Sequence, residues 1–227
     1  MSSNDFGQVL AAAARLQELV PDAVLVGGSA AAHHAGHRVS FDADHVVADL
    51  KSRFDEVLAA LEDTEGWITS RLTRPVMVLG RLDGIETGVR NLIRSRPLEV
   101  EEIRVGDRTL RVPTLAEIAR IKAWLCLIRN ATRDYLDFAA LADRLGEEEA
   151  ASVVGSLDQY YVDQIGPGGR RVATQVAKQL ADPRPGDLAE VDLRFYRQLE
   201  PRWQQWEAVA AACGRVAVRV LEALVTK

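Results

Sequence analysis

The sequence predicts an α/β chain with its elements segregated in the α+β manner: a small mixed sheet carrying helices, followed by an α-helical C-terminal half. Three observations predict it. Short segments rich in β-branched residues recur as far as Val112 and then stop. Beyond Pro113, apolar residues recur only at spacings of three and four. Near the start, Leu25-Val26-Gly27-Gly28-Ser29 runs into Ala30-Ala31-Ala32-His33-His34, which reads as strand, tight turn and helix. The expected division is an α/β domain at 1–112 and a helical domain at 113–227 that closes over the sheet edge, with the working cleft between them.

The first predicted element is an amphipathic helix over 5–20, where Phe6, Val9, Leu10, Ala13, Leu16 and Val20 share one face and Pro21 ends it. Ala23 to Val26 is the first strand, Ser29 to His34 a helix, and Asp42 to Val47 the second strand. Leu50 to Leu61 places Phe54, Val57, Leu58 and Leu61 on one face, a second packing helix. Strands are expected at 67–72, 76–82 and 85–92, and Asp83-Gly84 between the last two is a strong hairpin signal. A final hairpin joins 98–103 to 110–112 through Gly106-Asp107. Thr114-Leu115-Ala116-Glu117 is a capping box opening a helix through Ile118, Ile121, Lys122, Leu125 and Ile128. Another helix starts with Thr132 as its N-cap. Residues 147–181 form one or two helices broken at Gly166-Pro167-Gly168-Gly169, residues 182–187 a linker, and 203–224 a closing helix with Trp206, Val209, Cys213, Val216, Ala217, Val220 and Leu224 facing inward.

Composition narrows the function classes. Of 227 residues, 48% are hydrophobic and 27% charged, enough to bury an ordinary core without staples. Two cysteines, Cys126 and Cys213, lie far apart inside apolar helical patterns, which excludes a disulfide framework and a cysteine zinc site. No basic segment leads into an apolar one at the start, and no apolar run approaches the roughly 20 residues that cross a bilayer, so a cytoplasmic protein without a membrane is expected. The net charge of −5 conceals a segregation: residues 66–133 hold twelve Arg and one Lys against seven Asp and Glu, a balance of +6. Such a segment suits a polyphosphate or an RNA end.

The chemistry is carried by the Gly-Gly-Ser turn and by Asp42-Ala43-Asp44. A helix starting in the turn directs free backbone N–H groups at an anion. On a strand, residues two apart share a face, so both carboxylates project together and repel. A divalent cation relieves that repulsion, and Mg²⁺ takes one or two carboxylates along with phosphate oxygens. All four histidines, His33, His34, His37 and His45, fall within thirteen residues, and His33 and His37 have helical ligand spacing. No Glu or Cys stands at the remaining positions that zinc requires.

Taken together, Gly28-Ser29, a short helix and Asp42-Ala43-Asp44 resemble the site of the polymerase-beta-like nucleotidyltransferases. More narrowly, Gly27-Gly28-Ser29-Ala30-Ala31-Ala32-His33-His34 with His37-Arg38-Val39-Ser40-Phe41-Asp42-Ala43-Asp44 resembles the AbiEii/AbiGii toxin branch, including the MenT-type toxins that modify RNA. The resemblance implies a nucleotidyltransferase domain at 1–112. It implies that Mg²⁺ or Mn²⁺ sits on Asp42, Asp44 and a third acid, taken as Glu86, and that an NTP binds through Gly28, Ser29, Arg38, Ser40, Lys122 and Asp137. It also implies Lys122 and Asp134 as catalytic residues, an RNA acceptor such as a tRNA 3′ end, and a cognate antitoxin. Two positions depart from the pattern: Gly84 stands where a Lys is frequent two before the third acid, and Ile118 stands where the helical motif has Gln. Arg81 or Arg90 is expected to replace the missing charge. Without the resemblance, Lys122 on an apolar helix either snorkels or pairs with an anion, and Asp134 and Asp137 equally suit a helix N-terminus.

Overall fold

The computed structural model describes residues 4–165 and 169–225, excluding the side chains of Asn4, Leu224 and Val225. The predicted break at 166–169 and the inward Leu224 therefore fall wholly or largely outside the described residues. The chain forms two compact units, 1–30 with 40–114, and 31–39 with 115–227. Residues 31–39, placed in the first domain by the sequence reading, thus group with the helical unit.

In the first unit, helix α1 (Asn4–Leu19) is followed by β1 (Val24–Leu25), α2 (Gly27–Ala35), β2 (Asp42–Val47), α3 (Phe54–Glu62), β3 (Trp67–Thr73), β4 (Met77–Leu82), β5 (Ile85–Asn91), β6 (Val100–Val105) and β7 (Arg108–Pro113). The last residues of α2 belong to the second unit. Five strands make one mixed sheet in the order β1-β2-β5-β4-β3, and β6 and β7 pair as a separate hairpin. Among the described residues of the mixed sheet, β2 and β5 pair in parallel and the other neighbours antiparallel. The chain enters β5 through the Asp83-Gly84 turn, where both residues have positive φ, as a type I′ hairpin requires.

Alternation along β2 decides what the sheet offers to each side. Ala43, His45 and Val47 are buried, while Asp42, Asp44 and Val46 are half-buried on the opposite face. The apolar face joins Leu16, Val20, Leu50, Phe54, Val57, Leu61, Val78, Leu82 and Val89 in one core. Helix α1 is also stitched to β7 by a polar contact that periodicity does not reveal. The Gln17 amide donates to the Arg111 carbonyl at 2.9 Å and accepts from the Arg111 N–H at 2.7 Å, standing in for a neighbouring strand.

His45 is fully buried in this layer. Burial pushes its pKa down to about 4, a shift that backbone groups of Ala43, Gly88 and Ala13 only partly offset. Its unfolded value of about 6.5 is higher, so between the two the unfolded chain binds a proton that the folded chain refuses. Stability from this group is complete above about pH 6.5 and is lost as pH falls toward 4, by about 3 kcal/mol in all. Urea unfolding at steps across that range should show the decline, and His45→Leu should flatten it. An unchanged slope in the variant would assign the effect to other groups.

The second unit contains α4 (Leu115–Ile128), α5 (Thr132–Leu145), α6 (Glu147–Gly155), α7 (Leu157–Tyr160), α8 (Val172–Ala181) and α9 (Trp206–Val225). Helix α9 packs on α5, α6 and α8 through Val209, Cys213, Val216, Ala217 and Val220. Trp206 is only half-buried and meets the Tyr135 ring edge-on at 5.9 Å. The N-cap of α5 is Ala131, and Thr132 is already inside the helix. The cap is supplied from the segment read as a linker: Asp187 Oδ1 accepts from both the N–H and the hydroxyl of Thr132, each at 2.7 Å. That long-range carboxylate satisfies a first-turn donor that the sequence reading had assigned to Thr132.

Candidate active site

The acidic end of β2 lies between two neighbours. On one flank, β1 leads into α2, and the Val26 N–H donates to the Asp44 carbonyl at 2.7 Å. Gly27 then opens α2 with φ +72, two residues earlier than the periodicity suggested. A Cβ at Gly27 would stand 3.4 Å from the Asp44 carboxylate, so a glycine with left-handed backbone lets the helix start against that side chain. The backbone N–H groups of the first turn have no partner within the helix, which gives Gly27 and Gly28 their capacity for an anion.

Ser29 does something other than expected. Its side chain is fully buried and donates to the main-chain carbonyl of Asp42, tying the first turn of α2 to β2. The hydroxyl therefore faces the protein and not a triphosphate. A second serine holds the same aspartate by its side chain: Ser40, also buried, donates to Asp42 Oδ1 at 2.6 Å. One carboxylate oxygen of Asp42 is thus engaged by the protein.

On the other flank lies β5, where Glu86 stands in register with Asp42 and Gly88 with Asp44. Parallel register puts the three acids on one face, as the choice of Glu86 supposed. The Glu86 carboxylate, however, is turned to Arg81 of β4 at 2.9 Å, and both side chains are exposed. Arg90 approaches Asp44 at 3.7 Å. The two arginines expected to compensate for Gly84 are therefore both beside site acids.

The donor set tests the metal expectation. Asp42 and Asp44 present hard oxygen atoms from one strand face, which fits Mg²⁺ or Mn²⁺ held by two carboxylates with the remaining positions filled by other oxygens. Among the described residues, no three His, Cys, Asp or Glu side chains gather closely enough to hold an ion. The pair suits the cation, while Glu86 as a third ligand is not assembled.

The remaining expected site residues assemble inside the helical unit. Lys122 of α4 is 2% exposed and reaches Asp134 Oδ1 at 3.0 Å and Asp137 Oδ2 at 2.8 Å, both carboxylates being fully buried on α5. Arg38 grips Asp137 with two bonds of 2.8 and 3.0 Å, and His37 Nε2 lies 2.8 Å from Asp137 Oδ1. Arg129 adds a looser contact to Asp134 at 3.5 Å. Burial would lower the Lys122 pKa, but Asp137 and Asp134 outweigh it and hold the ammonium above its usual range. Burial would raise Asp137, but Lys122, Arg38 and His37 together hold it well below the usual carboxylate range. Lys122 is thus the anion-pairing lysine of the two possibilities its apolar helix allowed, and its partners belong to the protein. Ile118, at the position of the expected Gln, is fully buried core.

The sequence reading missed three contacts of consequence: the inward turn of Ser29, the His37 bond to Asp137, and Asp187 as the cap of α5. The first two depend on which backbone or side chain packing brings close, which local spacing does not show. The third had no local signal either.

No protein-family model matches the chain. It is 34% identical over 242 aligned positions to the heme uptake protein MmpL11 of Mycobacterium tuberculosis, an alignment that takes in 97% of this chain and 23% of that protein. The chain therefore spans about a quarter of the length of this curated relative. Among solved structures, a Helicobacter pylori protein assigned as a nucleotidyltransferase superposes with a TM-score of 0.57 at 18% identity, covering 100% of this chain and 98% of that one. The antibiotic-resistance factor ANT(2″)-Ia superposes with a TM-score of 0.52 at 12% identity, over 72% of this chain and 96% of its own. The chain has the nucleotidyltransferase fold.

Proposed function

We propose that the chain transfers a nucleotidyl group from an NTP to a hydroxyl acceptor. One observation carries the reading: in a nucleotidyltransferase fold, Asp42 and Asp44 share a strand face directly beside the glycine-started helix α2. The backbone N–H groups of Gly27 and Gly28 receive the triphosphate, helped by the positive end of the helix dipole. Ser40 orients the Asp42 carboxylate, and Ser29 fixes the strand beneath it. Asp42 and Asp44 would hold Mg²⁺ or Mn²⁺, which when bound neutralises phosphate charge and lowers the pKa of the acceptor hydroxyl. The acceptor oxygen bonds to the α-phosphorus as the bond to the β-phosphate breaks and pyrophosphate leaves. Positioning and charge neutralisation supply most of the acceleration. Lys122, Asp134, Asp137 and Arg38 serve this chemistry by holding the helical unit in one arrangement.

The acceptor in this reading is RNA, most simply a tRNA 3′ end, and the setting a toxin restrained by a cognate antitoxin. Its support is the resemblance of 27–44 to RNA-modifying toxins and the +6 balance of residues 66–133. Incubation of the protein with each α-labelled NTP, Mg²⁺ and total RNA should label RNA of tRNA size. Transfer should also fall between about 50 and 200 mM salt, with a slope near −0.7 per single-stranded phosphate contact. Label found only on a small hydroxylated compound, with rates indifferent to salt, would move the acceptor to the class that a resistance factor modifies.

A second reading rests on the MmpL11 similarity, which embraces nearly the whole chain but a quarter of that protein. Here the chain, which matches a stretch of a longer protein, keeps the nucleotidyltransferase fold and binds a nucleotide without transferring it. Saturable NTP binding with no label on any acceptor would favour it.

A further inference from the structure

A cavity of about 450 Å³ opens beside the acidic face, lined by Phe41, Asp42, Arg81, Gly84, Ile85 and Glu86. Its size falls within the roughly 300–1,000 Å³ of small-molecule sites. It lies at the starts of β2 and β5, on the flank of β2 away from Gly27. Phosphates drawn to the first turn of α2 are thus on one side of the aspartates and this cavity on the other.

The lining chemistry names the occupant. Asp42 and Glu86 repel a phosphate but accept hydrogen bonds from exocyclic amines and ring N–H groups. Phe41 is 38% exposed beside them. Arg81 donates to Glu86 at 2.9 Å, and a guanidinium bonded at its edge is a planar group that can stack on a base. An aromatic ring, a guanidinium plane and carboxylate acceptors around one cavity match a nucleobase.

We infer that this cavity seats the nucleobase of the acceptor RNA's 3′-terminal nucleoside, placing its ribose hydroxyl beside Asp42. The assignment rests on the nucleotidyl-transfer reading. Phe41 is the stacking platform and Arg81 a second planar group in the same lining.

The test varies RNA and NTP separately in steady-state transfer by wild type, Phe41→Leu and Phe41→Tyr. Leucine keeps the apolar bulk and removes the π face, so KM for RNA should rise about tenfold, as loss of one stacked base does, with KM for NTP unchanged. Tyrosine should restore the wild-type value. A rise confined to the NTP would give the cavity to the incoming base, and unchanged values for both would remove the base altogether; either overturns the inference. Should wild type transfer nothing, binding of an end-labelled single-stranded RNA hexamer by fluorescence anisotropy decides independently. A tenfold weaker Kd for Phe41→Leu with recovery in Phe41→Tyr supports the cavity even if transfer fails, and equal Kd values overturn it.

Discussion

Asp44→Asn should cut nucleotidyl transfer by about three orders of magnitude and leave the melting temperature almost unchanged. The substitution preserves shape and removes one of the two charges that the proposed cation needs, and deleting a single well-placed electrostatic group already costs 10²–10³ in rate. The fold loses little. The Arg90 contact to Asp44 is 3.7 Å long and its side chains are 44% and 32% exposed, so it contributes at most about 1 kcal/mol. Relief of repulsion from Asp42 acts in the opposite direction. Label transfer from an α-labelled NTP, measured beside thermal unfolding, separates the two effects. A variant that transfers at the wild-type rate would place the chemistry elsewhere.

Lys122→Met should behave in the reverse manner, as a stability variant first. The thioether fills the space of the lysine stem but leaves Asp134 and Asp137 buried with less compensation. Asp137 keeps Arg38 and His37, while among the described residues Asp134 keeps the looser contact to Arg129 at 3.5 Å. Breaking one partner out of a buried charge cluster costs about 3–5 kcal/mol, which for a chain of this size lowers Tm by about 10 °C. The loss should be greatest above the unfolded carboxylate pKa of about 4. Because Asp137 is held below its usual range in the folded state, its contribution is present above that pH and disappears as pH falls through the folded value. Adding Asp134→Leu should recover part of the loss by removing the stranded charge. A melting temperature unchanged in Lys122→Met, with weakened NTP binding, would return the lysine to the nucleotide.

These two residues mark how far the candidate site was legible. The shared face of Asp42 and Asp44 was legible because a spacing of two on a strand is a local geometric fact, and the burial alternation of β2 follows from it. Lys122 stood out because an ammonium interrupts an apolar helix face, yet its partners lie 12 and 15 residues further along and nothing local selects between them and a phosphate. Ser29 shows the same limit. Gly-Gly-Ser correctly announced a helix start, but whether a hydroxyl in a first turn faces solvent or a strand depends on how closely the neighbouring backbone approaches.

By itself the sequence determined the order of strands and helices, the type I′ turn at Asp83-Gly84, the shared face of Asp42 and Asp44, and the change to helices after Pro113. Each is set by backbone sterics or side-chain periodicity within a few residues, where physics acts on neighbours in the chain. Only the tertiary structure decided that Glu86 turns to Arg81, that Lys122 is neutralised by two aspartates, that Asp187 caps α5, and that 31–39 groups with the helical unit. Those outcomes are competitions among partners distant in sequence, and a buried charge goes to whichever one packing brings within reach before solvent is lost.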